Sequence, residues 1–244
     1  MNWKYISIDD SKIFEFHDSF FELDSVNGDS ISIRVRALNI SRNAEQNPKE
    51  YDLEIKTARI TFVGVHDCTF DPGRTWKIDE SGNGVPTTPE ILYSGEDARK
   101  RITKELGNGI DVFSHTIFDG DHFSIEGSGI EPWFEVRFKA QRITVEWDEY
   151  IRPAWYEITR QYHKEMTLKT PGGRIMAVNA HVISHYDPDE LYSVNSRDQI
   201  TPKEISVGIK YEDREYWGDG TDPLGKDACE NLQKQLPDGV KLQY

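Results

Sequence analysis

Apolar residues recur at every second position through much of this chain, a period that suits half-buried strand and little else. Ile31-Ser32-Ile33-Arg34-Val35-Arg36-Ala37 alternates in this way, and Phe134, Val136, Phe138 and Ala140 alternate with charged or polar residues. Ile143, Val145 and Trp147 continue the second run after a one-residue change of phase, which predicts one strand over 133–147 with a bulge near Gln141-Arg142. Asn27-Gly28 between 20–23 and 31–37 predicts a hairpin. Strand patterning resumes at 53–56, 58–65, 110–118 and 122–125. Pro171-Gly172-Gly173 and Glu212-Asp213-Arg214 predict two more hairpins. The polar stretches 41–50 and 187–202 read as loops, and glycines and prolines mark 71–90 as a long surface excursion.

Two segments carry the other period. Ala98, Ile102 and Leu106 share one helical face, with Ser94 as cap, Asp97 three residues on and Gly107 as stop, which predicts a helix near 95–106. Asp222, Pro223 and the stripe Leu224, Ala228, Leu232 and Leu236 predict a second helix near 223–236, stopped by Pro237-Asp238-Gly239. Val240-Lys241-Leu242 then reads as a last short strand. The expected class is α+β, predominantly antiparallel β-sheet with two or more packed helices. A β-rich region over 1–150 and a smaller α+β region over 151–244 are expected, as one compact unit or two closely joined domains.

Charge bounds the partners. The chain has 43 Asp and Glu against 29 Lys and Arg, a net charge of −14. Such a surface repels nucleic acid and anionic lipid and steers cationic proteins towards it. The N-terminal residues lack the apolar stretch of a signal peptide, no run is long and apolar enough to span a membrane, and Cys68 and Cys229 read as buried free thiols. A cytoplasmic protein is the default expectation.

Several clusters carry possible chemistry. His181 and His185 have a metal-like spacing, with Asp187 and Asp189 nearby. On a strand, however, they stand about 13 Å apart, too far for one ion to bridge without a bend. Asp119-Gly120-Asp121-His122 and Asp219-Gly220-Thr221-Asp222 are rich in oxygen ligands but lack the spacing of a calcium loop, and turn or cap chemistry explains them. His66-Asp67-Cys68 would put a base and a thiol on one strand face, without a supporting motif. Glu146, Asp148 and Glu149 offer carboxylate pairs of the kind a glycosidase uses, but that couple is defined in space. No catalytic residue, metal site or cofactor is assigned.

Trp147-Asp148-Glu149-Tyr150 with Trp155 and Tyr156 is the most unusual local composition. Such rings either fill a core or anchor a partner, and both readings stand at this point. As a binding surface the set would be Trp147, Asp148, Glu149, Tyr150, Trp155 and Tyr156.

Phe16-His17-Asp18, Asp52 and the segment Ala58-Arg59-Ile60-Thr61-Phe62-Val63-Gly64-Val65 resemble the N-terminal part of immunity-type proteins that accompany bacterial polymorphic toxins. Trp217-Gly218 and the stretch 232–242 are similar to the ends of related uncharacterised bacterial proteins, several of which continue into a cysteine-bearing tail where this sequence stops at Tyr244. The resemblance implies a protein that blocks a toxin by binding, with no catalytic residues. The leading expectation is therefore a non-enzymatic, acidic, intracellular binding protein that neutralises a basic toxin domain. The alternatives are a carbohydrate-active or other hydrolase using paired carboxylates, and a carbohydrate-binding module using the Trp147 to Tyr156 aromatics.

Overall fold

The computed structural model describes residues 3–113 and 117–244, with 117–119 described in backbone only. The described chain is mostly antiparallel β-sheet with three α-helices, compatible with the α+β class and dominated by sheet. It divides into two compact units: Met1–Asn47 with Leu53–Ile151, and Pro48–Asp52 with Arg152–Tyr244.

The first unit is built on an 11-stranded sheet. Its path runs Tyr5–Ile8, Arg142–Trp147, Ala58–Val63, Ser30–Arg36, Phe20–Asn27, Ile110–Val112, His122–Ser128, Phe134–Lys139, His66–Asp71 and Tyr93–Ser94, with Ile117–Asp119 paired to His122–Ser128. The hairpin at Asn27-Gly28 forms as its sequence predicts, with Asn27 opposite Ser30. The expected strand over 110–118 is two pieces, and its residues 114–116 lie outside the described residues. Ile31, Ile33, Val35, Phe62, Phe123, Phe134 and Phe138 are all buried. The Phe62 ring meets Phe123 at 5.1 Å and Phe138 at 5.0 Å, although their strands are far apart in the pairing order. The sheet therefore curls until its two halves face one another across one core.

The phase change after Ala140 is a strand break, not a bulge. Phe134–Lys139 pairs with His122–Ser128 and His66–Asp71, whereas Arg142–Trp147 pairs with Tyr5–Ile8 and Ala58–Val63. The two alternating runs serve opposite halves of the curled sheet, so each keeps its own phase. The helix of this unit spans Gly95–Asn108 and buries Ala98, Ile102 and Leu106. Ser94 stands at its N-cap, but its side chain makes no capping hydrogen bond. The helix runs through Gly107 and stops at Gly109, whose φ of 89° an L side chain resists.

The second unit is a five-stranded sheet in the order Arg214–Gly220, Glu204–Tyr211, Ile175–His185, Thr159–Lys169, Lys241–Gln243. Pro171-Gly172-Gly173 closes a long hairpin in which Lys169 faces Ile175 and Thr159 faces His185. Glu212 and Asp213, both at positive φ, close the second, as a two-residue hairpin turn requires. The final strand pairs with Thr167, Leu168 and Lys169. The helix Lys226–Gln235 covers one sheet face and packs Ala228, Cys229 and Leu232 against Leu168, Val182, Val207 and Ile209.

This helix begins later than its sequence predicts. The Asp227 carboxylate accepts the backbone N–H groups of Thr221 and Asp222, and Asp222 in turn accepts those of Leu224 and Lys226. Residues 221–225 are thereby held in a turn, and Leu224, expected on the buried stripe, is 88% exposed. The expected loop over 187–202 contains a short helix, Pro188–Ser193, and a turn of 3-10 helix, Arg197–Gln199.

The segment Pro48–Asp52 belongs to this second unit. Lys49 Nζ donates to the carbonyls of Tyr192 and Val194, the Tyr51 hydroxyl is bonded to the carbonyls of Leu191 and Val194, and the Asp52 N–H donates to Glu157.

Candidate binding surface

The aromatic set singled out in the sequence is divided among different roles. Trp147 is 0% exposed, stacks on Tyr5 at 5.5 Å and meets Phe14 edge-on at 5.7 Å. It is core and offers no surface to a partner. The Tyr150 hydroxyl donates to the Gln46 carbonyl at 2.8 Å, and its ring lies 5.4 Å from Tyr5. Asp148 accepts the Lys4 backbone N–H at 2.7 Å. Glu149 pairs with Lys56 at 2.7 Å, a hydrogen bond that holds its carboxyl below the usual range. Trp155 is 50% exposed and meets Tyr156 at an interplanar angle of 83°, so these two rings form no shared flat platform for a sugar. The Tyr156 hydroxyl donates to Asp52 at 3.0 Å. Of the six residues, Trp155 presents the most open ring.

The carboxylates that the sequence offers as an acid–base couple are engaged separately. Glu146 takes a two-point contact from Arg59, while Asp148 and Glu149 hold the contacts just described. His66 and Cys68 do not share a face. Asp67 has φ of 51°, and the pairing shifts from Lys139 opposite His66 to Arg137 opposite Thr69, which inserts an extra residue. His66 is therefore exposed while Cys68 is buried, and burial pushes the thiol pKa up, away from nucleophilic chemistry. Asp187, considered with His181 and His185, accepts the N–H groups of Asp189 and Glu190 at the start of a helix. Among the described residues no three His, Cys, Asp or Glu side chains gather as a metal site would need.

The second unit has an open sheet face with a different constellation. Cross-strand register places His163 opposite His181, His181 opposite Gly208, and Gly208 opposite Trp217. The His163 and His181 rings stack at 5.1 Å with 18° between planes, and the Trp217 ring lies 5.7 Å from His181. Gly208 makes this row possible, because a Cβ there would fall 2.6 Å from the indole. The residues at even spacing from this row share its face. They include Glu165, Glu204, Glu215 and Asp219, all exposed, with Lys210 beside Glu215. The opposite face of the same sheet is the one the helix covers.

The sequence carried part of this arrangement. Counting back equally from each hairpin turn brings His163 to His181 and Gly208 to Trp217. The middle pairing, His181 with Gly208, crosses the 187–202 segment, and no turn signal sets its register. Another exposed feature is the excursion after residue 71, where Trp76–Ile78 pairs with Gly84–Pro86 and leaves Trp76 and Ile78 exposed.

Among the described residues no helix is long and apolar enough to cross a membrane. Comparison of the chain with protein-family models, with curated proteins and with solved structures found no match.

Proposed function

We propose that this chain is a non-enzymatic, cytoplasmic binding protein that engages a cationic protein through the open sheet face of its second unit. The target fitting the resemblance in its sequence is a basic toxin domain, which would make the chain an immunity protein. The observation that carries this reading is the ring row Trp217, His181 and His163 framed by Glu165, Glu204, Glu215 and Asp219. A centre of stacked rings with a charged rim is a form in which interfaces concentrate affinity, and the rim supplies attraction at a distance. The net charge of −14 works in the same direction.

The test is calorimetric titration against a basic toxin domain, at low and at high salt. The expected result is binding that weakens with salt and that falls by about 2 kcal/mol or more in Trp217→Ala, a hot-spot magnitude. Absence of binding, salt-independent binding, or unchanged binding in Trp217→Ala would each defeat the reading. A hydrolase or carbohydrate-binding role gains no comparable support, since Glu146, Asp148 and Glu149 are separately engaged and Trp147 is core.

A further inference from the structure

In a chain dominated by carboxylates, one region of the first unit collects cations that, among the described residues, make no salt bridge, although Lys104 lies near enough to Glu105 to act on its charge. Lys100, Arg101 and Lys104 lie on the outward face of the helix Gly95–Asn108, away from Ala98, Ile102 and Leu106. Among the described residues none of the three forms an ion pair. They border an open basin of about 440 Å³ that also takes in Tyr93 and Asp97. The Arg101 guanidinium sits 3.6 Å from the centre of the Tyr93 ring. Stacking of this kind fixes the planar fork while leaving its N–H donors free for an anion.

Arg101 and Tyr93 also form a wall of a second, narrower cleft of about 250 Å³. Its lining is mixed: Ile91, three prolines and the Trp133 indole stand beside Arg74, Thr75, Thr88 and Glu131. Trp133 is held in place twice. Its Nε1 donates to Glu126 at 2.7 Å, and its ring lies where a side chain on Gly73 would be, 2.4 Å from the position of a Cβ. Gly73 has φ of 71°, so both the conformation and the space at this position exclude a larger residue. The Trp133-lined cleft and the cationic basin thus share Tyr93 and the stacked Arg101 as a common wall.

We propose that this paired cleft binds an organic phosphate, the flat ring entering the narrower part against Trp133 and the phosphate oxygens meeting Arg101, Lys100 and Lys104. A planar guanidinium and two ammonium groups within about one helical turn suit the several oxygens of a phosphate better than a single carboxylate. Glu131 in the narrower part and Asp97 in the basin limit how much negative charge the site accepts. Together with the overall charge of −14 they select a short phosphate over a polyanion.

Calorimetry at low salt with three probes tests this: ADP, adenosine and inorganic pyrophosphate. ADP is expected to bind about tenfold or more tightly than either fragment, because it alone fills both parts. Arg101→Ala and Lys104→Ala should each weaken ADP by about tenfold, the value of one charge-assisted contact. Lys226→Ala, an exposed change in the other unit, should leave ADP binding unchanged. Lys104 is exposed, so its variant tests the site even where Arg101→Ala loses folded protein. No binding of ADP, equal binding of ADP and pyrophosphate, or unaltered affinity in Lys104→Ala would overturn the proposal.

Discussion

The Tyr51 hydroxyl lies 2.7 Å from the carbonyl oxygen of Leu191, 140 positions further along the chain. Tyr51 is 1% exposed, and with Lys49 it fastens Pro48–Asp52 into the second unit by satisfying carbonyls at the end of the helix Pro188–Ser193, while the Asp52 N–H donates to Glu157. Helix ends leave such carbonyls without partners, so a donor from elsewhere in the chain is valuable there. Burial, followed by the neighbouring Tyr192 and Glu157, pushes the Tyr51 pKa up to about 12 from an ordinary 10.0. Folding thus favours the protonated phenol. Its contribution is complete below pH 10 and is lost as pH rises through about 12. Tyr51→Phe should cost about 1–2 kcal/mol at neutral pH. Urea denaturation across the alkaline range should show a smaller loss of stability for the variant than for the parent chain.

The elements most legible in the sequence were those fixed locally. Gly28, Pro171-Gly172-Gly173 and Glu212-Asp213 set three hairpins because a turn's backbone demands are met within a few residues. The Lys226–Gln235 helix was legible as a type but not in its start, because the competition is between carboxylates: Asp227 turns back to hold Thr221 and Asp222, where Asp222 alone would have begun the helix earlier. Long-range assignments were not legible. Nothing in Lys49, Tyr51 or Asp52 announces that a stretch reading as the end of a polar loop docks onto residues near 190. Nor does the phase change at 140–142 tell whether a strand bulges or departs to pair elsewhere. For the candidate surfaces, the Trp147 to Tyr156 cluster drew attention by composition, yet composition cannot distinguish a ring in a core from one on a face. The Trp217 row depends on register across four strands.

Trp147 and Trp155 make that distinction measurable. Trp147 packs on Tyr5 and Phe14 without exposure, whereas half of Trp155 faces solvent. Trp147→Ala should cost about 3–5 kcal/mol, the usual range for emptying a large aromatic site. The Trp147 indole N–H has no hydrogen-bond partner among the described residues, so Trp147→Phe gives up no hydrogen bond there and should cost distinctly less than the alanine change. Trp155→Ala should be the mildest of the three. Equilibrium urea unfolding of the variants ranks them directly, and equal effects for Trp147→Ala and Trp155→Ala would contradict the packing described.

Glu105 is a buried acid on the inner side of its helix, and its carboxylate accepts the Ile130 N–H at 2.7 Å. Burial raises its pKa, opposed in part by hydrogen bonds from the Ile130 and Glu131 backbone. A raised value means that folding favours the neutral acid. The benefit is present below the ordinary glutamate pKa and disappears as pH rises through the folded-state value. At neutral pH the charged form is a burden, partly relieved by those backbone donors. Glu105→Gln keeps an oxygen for Ile130 and removes the charge, so it should raise the thermal midpoint at about pH 7 and lose that advantage at about pH 4. Glu105→Ala strands the Ile130 N–H and should destabilise by about 1–3 kcal/mol at both. Thermal scans of both variants at the two pH values check the sign.

Cys68 and Cys229 report on the two units separately. Cys68 lies on the strand His66–Asp71 in the first unit, and Cys229 on the helix Lys226–Gln235 in the second; both are free and buried. Burial raises the pKa of each thiol, which lowers the thiolate fraction as well as access. Native alkylation should therefore run about a hundredfold or more slower than at an exposed thiol. Reaction then requires local opening, so its rate tracks the stability of the surrounding packing. Leu232 packs in the same core as Cys229, and Ile102 lies in the core of the first unit. Leu232→Ala, at a cost of about 2–5 kcal/mol, should accelerate labelling of Cys229, and Ile102→Ala should do the same for Cys68. Mass spectrometry of the alkylated peptides over time resolves the two sites. Prompt labelling of either thiol in the unmodified protein would show that its unit does not hold the packing that buries it.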